Sequence, residues 1–342
     1  MIRRGFAVAI TLLAGMLLAA CGGGDGGGDS ATVSEPLALT TGNSEQVAGE
    51  VVDTTSTARD FGESGSDFVV AGVVESGDMT FNVVDFSRVQ LERFFQVQTV
   101  PDPGMVTGVV VQPETFPCGS DPSDGTFTIS GNFSDPGSDD ALSAGDHLSI
   151  DFDHCGGQDG FELDGSIDVV VRSFTGSFVS GAFSIELEYS INNMTATAGT
   201  QSIFLDGGYT FAMDTTTAPL LSVSISSGAL SLSASNHRVA LVDFQIDFTT
   251  NTETADYTLS YGGTLDSTAL QGSVTFQTLE AFNGNGDNHP SSGKLKVSGA
   301  NQSSITLTAL NSVDVLLEVD ADGDGIVDGD GTIMTTWSAI DH

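Results

Sequence analysis

From Met105 onward, apolar residues recur at every second position in short runs. Phe127 and Ile129 alternate with polar neighbours, as do Leu148, Ile150 and Phe152, and Ile167, Val169 and Val171. The pattern returns at Phe183, Ile185, Leu187 and Tyr189, at Val223 and Ile225, and at Leu230 and Leu232. It continues at Val239 and Leu241, at Phe244, Ile246 and Phe248, at Val274 and Phe276, at Leu295 and Val297, and at Ile305 and Leu307. Period two sends successive side chains to opposite faces of a strand, one dry and one wet. The gaps between runs are short and rich in Gly, Asp, Ser and Asn, which suits hairpins rather than crossovers. No sustained helical pattern follows residue 100, which excludes a parallel α/β fold. The expected fold is all-β, a long antiparallel meander coiled into a half-barrel or folded over as a sandwich.

Helical spacing is confined to residues 78–97, where Phe81, Val84, Leu91, Phe94 and Phe95 fall near one face and Asp78 stands at the cap position. This is the one short N-terminal helix expected, and the candidate cover for the sheet. A strand competes for the same residues, because Val89, Leu91, Phe95 and Val97 also alternate. Pro101 and Pro103 end either element, and residues 68–74 read as a further strand. Arg88 and Arg93 read as ion-pair partners of Asp85 or Glu92. Leu163-Asp164-Gly165 recurs as Leu205-Asp206-Gly207, and Gly228, Gly263 and Gly293 each precede a new alternating run, as if a glycine opened the strand. The echoes keep no fixed period, so a propeller or β-helix is not expected.

The first residues follow a different rule. Arg3 and Arg4 precede an apolar run, 6–20, that is shorter than the ~20 residues of a membrane-spanning helix and suits a signal peptide over residues 1–20. Leu18-Ala19-Ala20-Cys21 resembles the lipobox of bacterial lipoproteins. The resemblance implies cleavage before Cys21 and its lipidation, giving more than one acyl chain for firm anchoring. An ordinary signal peptide with a cysteine near its cleavage site is the alternative. In the sorting rule that comes with the resemblance, Gly22 in place of Asp favours the outer membrane. Residues 21–66 then read as the lipidated cysteine and a flexible Gly/Ser/Asp tether, and 67–342 as one β-rich domain. A sub-division near residue 160 is the second option.

Charge narrows the partners. The chain has 9 basic and 46 acidic side chains, a formal net charge of −37. Nucleic acid is excluded as a partner, because phosphate contacts need clustered Lys and Arg. Anionic membrane surfaces are repelled as well, so the lipid has to hold the protein at the outer membrane, and a protein or a glycan is the partner class left. Cys118 and Cys155 are the pair that remains beside Cys21. In an oxidising compartment they are expected to form a disulfide, with free thiols or a metal pair as alternatives.

The sharpest chemical motif is residues 320–331. Asp320, Asp322, Asp324, Ile326, Asp328 and Asp330 resemble the calcium loop of EF-hands, dockerins and related extracellular repeats. Carboxylates at positions one, three and five converge on one ion, Gly325 permits the sharp turn, and Ile326 offers its carbonyl. The departure is position twelve, where Gly331 stands in place of the bidentate Glu and Asp330 lies one residue early. A solvated Asp-Gly turn is the alternative. His147, Asp151, Asp153 and His154 cluster beside Cys155 as a zinc candidate, against plain surface polarity. His289 sits in a Gly/Asn loop, and Trp337 reads as a last-strand core residue, with a sugar platform as its alternative. No nucleophile elbow, zincin helix or phosphate loop is present, so no enzyme activity is expected from motif.

Taken together, the lipobox, the tether, the Cys118…Ala144-Gly145-Asp146…Cys155 pattern and the terminal Asp-Gly loop before Trp337 resemble a group of uncharacterised proteobacterial outer-membrane lipoproteins. The expected function is a non-enzymatic binding or scaffolding module of the envelope. A carrier of an apolar ligand and a calcium-stabilised enzyme acting on polysaccharide are the competing expectations.

Overall fold

The computed structural model describes residues 33–56, 109–118, 124–133, 143–156, 162–177, 181–198, 201–234, 237–286 and 288–340. The signal peptide, Cys21, the 68–74 strand and the 78–97 helix expected from sequence lie outside the described residues.

Among the described residues, fourteen strands pair in chain order to form one antiparallel sheet. They are β1 (Val109–Pro117), β2 (Thr126–Phe133), β3 (His147–Gly156), β4 (Glu162–Ser177), β5 (Ala182–Ala198), β6 (Gln201–Asp214) and β7 (Leu220–Ala234). β8 (His237–Asn251), β9 (Asp256–Ser267), β10 (Gly272–Asn285), β11 (Ser292–Ser298), β12 (Ser304–Ala309), β13 (Asp314–Asp320) and β14 (Thr332–Thr336) complete it. Among the described residues the sheet is left open, since β1 and β14 each pair on one side. It is an all-β meander, as the period-two pattern predicts, and β3 and β4 pair with each other. Its apolar face is closed off: Ile150, Ile167, Ile191, Leu265, Leu295 and Leu317 are no more than 2% exposed, and the apolar side chains form a single buried cluster.

Several runs that read as separate strands are halves of one. Val223 and Ile225 share β7 with Leu230 and Leu232, and Val239 and Leu241 share β8 with Phe244, Ile246 and Phe248. The phase of the alternation slips by one residue between the halves because a β-bulge lies there. In β8 the slip falls at Asp243, which has φ 48°, between Val242 and Gln245 of the β8–β9 register. In β5 it falls at Asn193, φ 49°, between Ile191 and Met194. A bulge adds one residue to one strand, increases local twist and bends the sheet. Such slips step across the sheet from β3 to β9 in a line. Gly228 and Gly263 therefore sit in mid-strand at this line and do not open strands.

The repeated Leu-Asp-Gly is the same device seen twice. Leu163 and Leu205 point into the core at 2% and 5% exposure. Asp164 Oδ1 accepts from the backbone N–H of His154 at 2.9 Å, and Asp206 Oδ1 from that of Asn193 at 3.0 Å. Each acceptor holds a left-handed bulge residue on the preceding strand. Gly165 (φ +115°) and Gly207 (φ +125°) then adopt a backbone that side chains disfavour, where a β-carbon would press on Asn193 and on Ala229 of the next strand.

The stretch read as tether is partly folded. Residues 33–43 run along the sheet: Leu37 N–H donates to Ser273 O at 2.9 Å, Ala300 N–H to Leu37 O at 2.8 Å and Leu39 N–H to Ser303 Oγ at 3.0 Å. Helix α1 (Ser44–Ser56) follows and buries Val47, Ala48, Val51 and Val52. Against it packs α2 (Trp337–Ile340), so closely that a β-carbon on Gly49 would lie 2.6 Å from Ile340 O. Mean composition made this segment look unable to fold. A few apolar residues at helical spacing, with backbone partners waiting on the sheet, are enough to order it.

Candidate functional site

The 320–331 loop joins β13 to β14. β13 alternates Val315, Leu317 and Val319 into the core, which brings Asp320 to the end of the strand at 9% exposure. Asp320 accepts from Gly323 N–H at 2.8 Å and from Gly325 N–H at 3.0 Å, folding the next five residues around its carboxylate. Asp322 accepts from Asp324 N–H at 3.1 Å, and Asp324 from Ile326 N–H at 2.8 Å. Gly323 (φ +75°) and Gly325 (φ +87°) supply the left-handed turns this needs. One carboxylate oxygen from each of Asp320, Asp322 and Asp324 lies within 4.8 Å of the others. Two oxygens held by one hard cation at 2.3–2.6 Å can be at most about 5 Å apart, so the spacing fits a metal ion.

Asp328 and Asp330 are placed differently. Asp328 turns back to the loop base, where its Oδ2 accepts from Ala321 N–H at 2.8 Å. Asp330 stands exposed in the turn before β14 and is not among the three that converge. Ile326 is 68% exposed. Gly331 resumes the ladder: Val319 N–H donates to Gly331 O at 2.8 Å, and a β-carbon on Gly331 would collide with Val319 O. A glutamate cannot stand at position twelve here, because the hairpin needs that position for its own backbone.

A second convergence forms at the β3 bulge. The expected set of His147, Asp151, Asp153 and His154 is not brought together. His147 Nε2 pairs with Asp168 Oδ1 at 3.2 Å, away from the bulge. His154, φ 50°, instead meets Asp153 Oδ1 at 2.9 Å, Asp164 Oδ1 at 3.4 Å and Glu162 Oε1 at 3.8 Å. The hydrogen bond to Asp153, then the charges of Asp164 and Glu162, raise the imidazole pKa above its ordinary value. Neither Asp164 nor Glu162 belongs to the zinc set that the sequence offers. The signal that points to Asp164 is the Leu-Asp-Gly repeat, whose Asp binds the bulge of the preceding strand.

Beside this bulge the Cys118–Cys155 disulfide closes, with the two Cα atoms 5.3 Å apart. It ties the end of β1 to β3 across the start of β2, where Gly125 (φ +71°) leaves room for the His154 carbonyl. Trp337 is 2% exposed at the start of α2, just past the last strand. Its Nε1–H donates to Pro290 O at 3.1 Å and Asn311 O at 3.3 Å, and its ring stacks on His289 at 5.6 Å. It is a core residue, and its burial removes it as a platform for a sugar. Compared with known proteins, the chain matches no protein-family profile, no curated protein and no solved structure.

Proposed function

We propose that this protein is an outer-membrane-anchored lipoprotein whose β domain serves as a non-enzymatic binding or scaffolding module of the cell envelope. The observation that carries the module reading is the filled apolar face of the sheet. A carrier needs a dry cavity, and here the core side chains from Phe127 to Trp337 pack into one buried cluster. An enzyme whose cleft needs an exposed aromatic floor is not favoured either, since Trp337 is buried, and Tyr189 and Tyr209 stack on each other at 4.7 Å with at most 6% exposure. The anchor rests on Leu18-Ala19-Ala20-Cys21, and among the described residues no helix is long and apolar enough to cross a membrane. Labelled palmitate should enter the wild-type chain, and Cys21→Ser should abolish both labelling and sedimentation with membranes. An unlabelled wild type would sink the anchor. A lipid that co-purifies with the Cys21→Ser chain in native mass spectrometry would sink the module in favour of the carrier.

The ion for the 320–331 loop is calcium in this reading. Oxygen donors alone suit a hard cation, and a loop of this class binds at ~10⁻⁴–10⁻³ M. Asp320, Asp322 and Asp324 would supply carboxylates and Ile326 its carbonyl, while Asp328 and Asp330 would act through water or as outer charges. The ion's part is to draw three like charges together and stiffen the β13–β14 hairpin. Calcium at millimolar level should raise the melting temperature of wild type, and the Asp322→Ala, Asp324→Ala double variant should lose that rise. A wild type whose melting temperature ignores both calcium and EDTA would leave the loop a turn.

A further inference from the structure

The face of the sheet opposite the core carries two adjoining hollows, about 480 and 570 Å³, which share Asp243 and Gln245 as a common wall. Side by side they make a trough that covers β5 to β8 on one side of Asp243 and β8 to β11 on the other. Its origin is the line of bulges. Where the alternation slips, the wet face carries short residues, among them Ser190, Gly208, Ser226, Gly228, Ser260 and Gly262. The rim is built from longer ones: Glu188, Thr210, Asp247, Gln277 and Lys296.

We propose that this trough binds an uncharged glycan chain. The inference rests on the binding-module reading and goes beyond it by naming the ligand class. Apart from Ala229, the side chains that the wet face turns toward the trough are hydroxyls, amides, carboxylates and one ammonium. The aromatic residues that border it belong to the other face and are buried. An apolar ligand would strip water from these groups and return no hydrogen bonds, which costs on the order of 1–3 kcal/mol for each group left unpaired. The occupant must therefore offer donors and acceptors along its length, as a polyol does. Its charge is also constrained. The net charge of −37 repels an anionic chain. Of the four Lys and Arg side chains among the described residues, Lys296 lines the trough and Arg172 reaches one of its lining residues, Glu188. Arg172 pairs with Glu188 and so neutralises one rim carboxylate. Gln245 Nε2–H donates to Asp247 Oδ2 at 2.9 Å and occupies part of another. The wall thus carries three carboxylates, Glu188, Asp243 and Asp247, against Lys296 and the Arg172 that pairs with Glu188, a nearly balanced set that neither a strongly cationic nor an anionic chain matches, so the uncharged chain is the better match.

Gly228 provides a clean test. Its φ is ordinary, and a β-carbon there would meet no atom within 4 Å, so a side chain can project into the trough without disturbing the strand. The full mature chain, held in a nonionic detergent that has no sugar headgroup, is titrated calorimetrically with uncharged hexasaccharides of glucose, mannose and N-acetylglucosamine, and with hexalysine. Saturable binding of a hexasaccharide is expected, unchanged by added salt because an uncharged ligand is not screened. Gly228→Leu is expected to weaken it on the order of tenfold or more with an unaltered melting temperature. Gln277→Ala, on the rim, serves as the second variant if Gly228→Leu fails to fold. Absence of binding to every hexasaccharide, binding that both variants leave unchanged, or salt-sensitive binding of hexalysine alone would each overturn the glycan trough. None of these bears on the anchor, which fails separately if Cys21 takes no palmitate.

Discussion

At the scale of single residues, the glycines divide into those that the backbone requires and those that it tolerates. Gly165 and Gly207 have φ of +115° and +125°, and a β-carbon at Gly165 would lie 2.6 Å from Asn193 O. Replacing either by Ala is expected to cost on the order of 1–3 kcal/mol. In a domain of this size that is about 2–4 °C of melting temperature per kcal/mol, read by thermal denaturation. Gly228→Ala is expected to stay within about 0.5 kcal/mol, since it meets nothing and its φ is ordinary. Asp164 and Asp206 complete each unit by holding the bulge N–H of His154 and of Asn193. The sequence shows Leu-Asp-Gly twice, and so shows that something recurs. It does not show what the Asp reaches, because its partner lies 10 residues back in one case and 13 in the other.

At the scale of elements, α1 is fastened to the sheet by polar contacts as well as by its apolar face. Glu50 accepts from Ser267 Oγ at 2.7 Å and pairs with His237 Nε2 at 3.4 Å. The hydrogen bond to Glu50 raises the pKa of His237 above 6.5 against the opposing effect of burial. A raised imidazole pKa gives stability that is present below the unfolded value and is lost as pH rises through the folded one. The 33–56 segment should therefore resist limited proteolysis better near about pH 6 than near about pH 8.5, and Glu50→Gln should flatten that dependence. Arg238 and Asp266 lie 3.7 Å apart beside this latch, and Ser34 N–H donates to Asp266 at 3.1 Å. Strand type and pairing order were legible from the alternation. The length of β5, β7 and β8 was not, because a bulge breaks the period in the sequence while the ladder runs on.

At the scale of the molecule, an open sheet of fourteen strands has two ends with little support, and each is secured differently. β1 is held by the Cys118–Cys155 bond, and β14 by α2 packing under α1. Reducing the disulfide, which spans 37 residues, should cost up to ~3–4 kcal/mol in urea denaturation. Amide hydrogen exchange should rise first in β1 to β3 and leave β8 to β13 protected. A uniform rise across the sheet would mean that the bond supports the whole fold and not one edge. By itself the sequence determined the fold class and the order of the strands, because period-two alternation and short polar connections are local signals, and it offered Cys118 and Cys155 as the two cysteines outside the N-terminal apolar segment. It also marked Asp320, Asp322 and Asp324, since their spacing along five residues already dictates convergence. Only the tertiary structure decided that Asp164 and Glu162 meet His154, that residues 33–56 dock, and that the wet face hollows into a trough. Each of those depends on register between distant residues, and register is set by where the bulges fall across the whole sheet.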